Sequence, residues 1–195
     1  MTSLRFLLTL ALLASTLTSF AQYKGVIVEK VDNGGVVAGN TYRIYIELAN
    51  EKDQVHVVYG DAEHPMSIES SKSFYQSSYG GAMSISVNRK ASQEDPKLKC
   101  DSWVTIGSED NYDNYVNNFL MDFTNFEDTG GPIKSSDGAW FCTPDHRQVF
   151  CGPTKKILIM QLTSEGKITA KFNIQGRTAA GDNFQQQDIT FTTGK

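Results

Sequence analysis

The sequence predicts an all-β protein, a single-domain antiparallel β-sandwich of jelly-roll-like character, and three observations lead there. Apolar residues recur at every second position, as in half-buried strands. Turn residues separate about eight to ten such runs at fairly even spacing. No window carries a convincing amphipathic helix: 111–123 is rich in Asn and Asp, which favour turns over helix. Covering one face of each strand without intervening helices calls for two packed sheets, with a closed β-barrel as the alternative.

Taken in order, Met1–Ala21 has the form of a secretory signal peptide. It carries a single positive charge at Arg5, an apolar run from Phe6 to Ala14, and small residues closing Ser19-Phe20-Ala21. Cleavage would start the mature chain at Gln22. The apolar run is shorter than the roughly 20 residues that span a bilayer, so no membrane insertion is expected. Gly25–Val31 is β-branched, and Asp32-Asn33-Gly34-Gly35 forms a turn towards Thr41–Ala49. In that segment Tyr42, Ile44, Ile46 and Leu48 share one face, while Arg43, Tyr45 and Glu47 share the other. These two strands should pair as a hairpin. Shorter apolar runs lie at 54–59, 84–87, 102–106 and 118–123. Near the C-terminus, 156–162, 167–176 and 183–192 are separated by Ser164-Glu165-Gly166 and Ala179-Ala180-Gly181-Asp182, which predicts a three-strand meander.

Residues 22–195 suffice for one core, and no repeat, low-complexity run or Pro-rich linker divides them. A composition of 39% hydrophobic and 21% charged residues belongs to a folded domain and excludes a disordered tail. The net charge of -4 and the lack of a basic stripe exclude a nucleic-acid partner. Lys155-Lys156 and Arg89-Lys90 are isolated pairs that read as solvated turn residues.

Three cysteines in an exported chain imply one disulfide and one remaining thiol. Cys142 and Cys151 bracket a short segment containing Pro144 and Asp145, so they form the expected pair. Cys100 then reads as a small buried hydrophobe.

Two acidic segments offer oxygen ligands for calcium, the expected cofactor. Asp61, Glu63 and His64 follow a strand, and Glu109, Asp110, Asn111 and Asp113 crowd one loop. Neither matches EF-hand or zinc-site spacing. The histidines His56, His64 and His146 accompany no nucleophile-elbow motif, so no catalytic residue is assigned. Aromatic residues provide another site: Trp140, Tyr112 and Tyr75, if exposed together, would stack against sugar rings. Trp103, inside an apolar run, reads as core.

The stretches YGDAEHPMSIESSKSFYQSSYGG and CDSWVTIGSED, together with MQLTSEGKITAKFNIQGR, resemble an uncharacterised β-rich module found in secreted proteins of marine bacteria and microalgae. That resemblance runs from about Tyr23 to the C-terminus and implies no activity or catalytic residues. The expectation is therefore a secreted, soluble binding or structural module of the cell exterior or periplasm. Its expected partner is an extracellular glycan or a cell-surface protein. A polysaccharide-directed hydrolase or lyase is the alternative.

Overall fold

The computed structural model describes Gln22–Gly194, so the leader expected at 1–21 lies outside the described residues. Eleven strands form two antiparallel sheets: β1 (Tyr23–Val31), β2 (Asn40–Leu48), β3 (Gln54–Tyr59), β4 (Met66–Ser70), β5 (Trp103–Val104), β6 (Asn117–Phe119), β7 (Ile133–Ser135), β8 (Ala139–Phe141), β9 (Lys156–Ser164), β10 (Ile168–Arg177) and β11 (Asn183–Thr192). Two short helices, α1 (Arg89–Glu94) and α2 (Thr124–Thr129), lie in the connections. The first sheet has the order β1-β2-β9-β5. In the second, β10 pairs with β11 along one side; along the other it pairs with β4 through its first half and β3 through its second. β8 and then β6 extend from β3, and β7 extends from β4. Neither sheet closes into a barrel, and the fold is a β-sandwich.

Alternation in β2 orients the first sheet. Tyr42, Ile44, Ile46 and Leu48 are all buried, whereas Arg43, Tyr45 and Glu47 remain partly exposed. β1 pairs with β2 as the hairpin pattern requires, from Val26 opposite Ile46 to Val31 opposite Thr41. Gly39 near the hairpin end has a φ of 87°, and a Cβ there would lie 2.4 Å from the Ser164 backbone, so only glycine fits. From the facing sheet, Phe172, Ile174, Ile68 and Trp140 enter the same core cluster. Burying each such side chain contributes about 1.5–3 kcal/mol.

The C-terminal meander does not form. β10 and β11 pair, but β9 lies in the other sheet between β2 and β5. Beyond Lys156, every residue of β9 is buried, which suits a central strand covered on both faces. The Ser164–Lys167 connection therefore carries the chain from one layer to the other. The apolar run at 84–87 is also not a strand, because Ser84–Ser86 forms a 3-10 turn leading to α1.

The disulfide expected between Cys142 and Cys151 is absent; all three cysteines are free and buried. The Cys142 N–H donates to His56 O and the Cys151 N–H to Asp53 O. These acceptors are three residues apart along one strand line, about 10 Å at the usual rise. Bridged cysteines need Cα atoms within roughly 7 Å. Instead, the Cys151 thiol donates to Asn50 O at 2.8 Å. Burial pushes the Cys142 and Cys151 thiols up to about 11. Cys100 is the buried small residue that its setting suggested.

Candidate ligand-binding cleft

A cleft of about 500 Å³ opens on the outer face of the first sheet, between the β1–β2 loop, α1 and the loop after β5. Its floor is apolar. Val87, Leu98 and Trp103 pack there with Leu158, and Val36 on the β1–β2 loop adds a partly exposed edge.

One wall is built from charge pairs. Strand alternation sends Arg43 outward from β2, where its guanidinium donates to both carboxylate oxygens of Glu109, at 3.0 and 2.7 Å. Two parallel bonds fix the plane of the group as well as its position. Arg43 Nε also donates to Gln161 Oε1 at 3.1 Å. Gln161 Nε2 in turn donates to the carbonyls of Lys99 and Asp101, tying the wall to the segment before β5. Arg89 begins α1, a helix capped by the Asn88 side chain accepting from the Ala91 N–H. Its Nε lies 3.2 Å from Asp110, and its guanidinium sits 4.4 Å from the centre of the Tyr112 ring. Arg147 pairs with Asp113 at the adjoining, more polar end.

The loop carrying the three carboxylates is anchored at several points. Gly107 has a φ of 71°, and a Cβ there would meet Gln148 O at 1.8 Å. The Asn111 N–H donates to Val87 O, and Asn111 Oδ1 accepts from the Arg89 N–H. The buried Asn114 side chain donates to Ser84 Oγ and Asp110 O. These bonds hold Glu109, Asp110 and Asp113 towards arginines from three different elements.

The structure disperses the other expected site residues. Asp61 serves its own turn, Oδ1 accepting from the Glu63 and His64 N–H groups. His64 Nδ1 lies 2.8 Å from Asp188 Oδ2 in β11, a carboxylate shared with Lys171. The hydrogen bonds from Lys171 and His64 hold the Asp188 carboxyl below its usual range. The two acidic segments thus turn to separate partners, and among the described residues no three His, Cys, Asp or Glu side chains form a metal-holding group. Trp140 is not a surface platform. It is fully buried, and its indole N–H donates to Thr105 O at 3.0 Å. Tyr75 is half-buried, with its N–H on Thr163 O. Of the three aromatic residues expected to meet sugar, Tyr112 is the exposed one, at 60%.

Arg43, Arg89 and Arg147 are the residues that composition did not mark as a group. Only Arg43 left a signal, as an outward position in an alternating strand. On the cleft wall, the Cys100 thiol donates to Pro96 O, and burial raises its pKa. His56 has a buried Nδ1 without a partner, and burial lowers its pKa. His146 packs against Tyr115, ring centres 4.5 Å apart and planes tilted by 55°. No helix among the described residues is long and apolar enough to cross a membrane. Comparison of the chain with protein families, with curated proteins and with solved structures gives no match.

Proposed function

We propose that this chain is an exported binding module of the cell exterior that takes a glycan in the cleft beside Arg43 and Arg89. The observation that carries the reading is the pairing of guanidinium and carboxylate groups along one wall, above an apolar floor, with the exposed Tyr112 ring at the adjoining polar end. Paired in this way, the wall presents fixed donors and fixed acceptors with little net charge. That suits hydroxyl groups, which need both, better than a free anion or cation. The apolar floor, and the face of Tyr112 that Arg89 leaves uncovered, match the C–H face of a sugar ring.

Calcium has no ligand set of its own in this reading, because an ion at Glu109, Asp110 or Asp113 would have to displace a guanidinium from each. Export rests on the leader, and the three thiols, being buried, are shielded from an oxidising exterior.

The test is titration calorimetry with a panel of oligosaccharides, using the wild type, Arg43→Ala and Tyr112→Ala. The reading expects a saccharide whose binding both substitutions weaken at least tenfold while the thermal midpoint falls by no more than about 4 °C. Binding unaffected by either change refutes the site. New reducing ends or unsaturated products in the same incubations would turn the reading to a hydrolase or lyase.

A further inference from the structure

The loop between β1 and β2, which forms one side of the cleft, turns tightly at Asn33-Gly34-Gly35-Val36. The Val36 N–H donates to Asn33 O at 3.2 Å, and Gly34 and Gly35 have φ of 61° and 68°, the two left-handed residues of a type I′ turn. Nothing packs over it. A Cβ at Gly34 would come no nearer than 4.0 Å to an atom beyond its chain neighbours, and one at Gly35 would meet nothing. The Asn33 side chain is folded forward along its own backbone: Oδ1 accepts from the Gly35 N–H at 2.9 Å, and Nδ2 donates to Gly39 O at 3.1 Å. Beside it, Asp32 Oδ1 accepts from the Gly34 N–H at 2.9 Å. Asn33 is also the one asparagine in the sequence that precedes a glycine, whose missing Cβ leaves the following peptide nitrogen unobstructed.

We propose that Asn33 is a self-modification site, which cyclises onto the Gly34 nitrogen and passes through a succinimide to aspartate and isoaspartate, loosening the loop edge of the cleft. The Gly34 nitrogen gives up its proton and attacks Asn33 Cγ. As the new C–N bond forms, the Cγ–Nδ2 bond breaks, and Nδ2 leaves with a proton as ammonia. Water then opens the ring at either carbonyl, giving aspartate on one side and isoaspartate on the other. One water enters and one ammonia leaves, with no oxidant or reductant. The turn already supplies what the attack needs. The Gly35 N–H sits on the oxygen where negative charge grows, and the Asp32 carboxylate stands where the Gly34 proton must go. Only the exposed Gly34–Asp32 bond and the partly buried Asn33–Gly39 bond have to give way, so neither sheet must open.

The product loses contacts that the amide makes. A carboxylate at position 33 has no donor for Gly39 O and faces that carbonyl with like charge. Isoaspartate also lengthens the main chain by one carbon, which displaces Asn33 O from the Val36 N–H. Asn33 and Val36 both line the cleft, so on the glycan reading of that cleft the change alters its rim.

Incubating the folded protein in neutral buffer made with heavy-oxygen water, then mapping the peptides that span Asn33 by mass spectrometry, tests this. Residue 33 should take up one heavy oxygen and appear as both aspartate and isoaspartate. Its conversion should be no more than about tenfold slower than in the urea-unfolded chain, whereas a site that needed global opening would be slowed by orders of magnitude. Asn114 and Asn173, buried and bonded, should keep their amides. Gly34→Ala, which sets a Cβ beside the attacking nitrogen, should slow conversion at least tenfold; should it disturb the turn, the wild-type products decide alone. In converted protein the Val36 amide should exchange faster with solvent while β2 amides do not change. An amide retained in the folded state, aspartate without isoaspartate, or an unaltered Val36 exchange rate would each overturn the proposal. No readout uses a saccharide, so this failure and a failure of the glycan reading are distinguishable.

Discussion

Replacing Trp140 with Phe tests the reassignment of this residue from the surface to the core. Trp140 stands on β8 of the larger sheet, and its indole N–H reaches Thr105 O, just beyond β5 of the smaller one, so this bond helps tie the two layers. Phe keeps an aromatic ring but removes the donor and part of the volume. The buried Thr105 carbonyl then loses a partner, a loss of about 1–3 kcal/mol. The unfilled space adds about 1–2 kcal/mol on the scale of buried large-to-small changes. A total of about 2–5 kcal/mol is a large share of a typical stability of about 5–15 kcal/mol. For a domain of this size it lowers the thermal midpoint by about 4–20 °C. Urea unfolding followed by circular dichroism would read the difference, with an unchanged slope showing that the unfolded state is the same. Saccharide binding by the folded variant should equal that of the wild type. A stability loss under about 1 kcal/mol, or binding lost while the fold persists, would refute the placement of Trp140 and the inter-sheet bond with it.

Other changes should separate stability from binding. Arg43→Ala should cost under about 1 kcal/mol, because the pair with Glu109 is partly solvated, yet weaken saccharide binding at least tenfold in calorimetry. Gly107→Ala should destabilise by about 1–3 kcal/mol from its φ alone, with the contact on Gln148 O adding to that, as read by urea unfolding. With no disulfide present, reductant should leave the thermal midpoint unchanged, and a thiol reagent should label the three cysteines only on unfolding. A fall of several degrees under reductant would restore the Cys142–Cys151 bond. Millimolar calcium should leave the midpoint unmoved; a rise would show the ion taking Glu109, Asp110 or Asp113 from its arginine.

What the sequence determined by itself is local. Period-two alternation set the inner and outer faces of β2, and the Asp-Asn-Gly-Gly turn set its hairpin with β1, because both depend on neighbours in the chain. The same alternation placed Arg43 outward, while an apolar run marked Trp103 and residue type marked Cys100 as buried, as both are. Strand partnership was not local. β9, β10 and β11 read as a meander because short connections favour neighbours, yet β9 carries an unbroken apolar run from Ile157 to Met160 and is stable only where both faces are covered. Nor could spacing judge the cysteines: the chain between Cys142 and Cys151 is short, but its two ends dock at separated points on one strand line. The candidate site depended most on tertiary structure. Arg43, Arg89 and Arg147 come from three distant segments, and only the packed sheets bring them to one acidic loop, turning carboxylates that resembled calcium ligands into partners of guanidinium groups. Pairwise charge and hydrogen bonding act over a few ångströms in space, a distance that position along the chain does not encode.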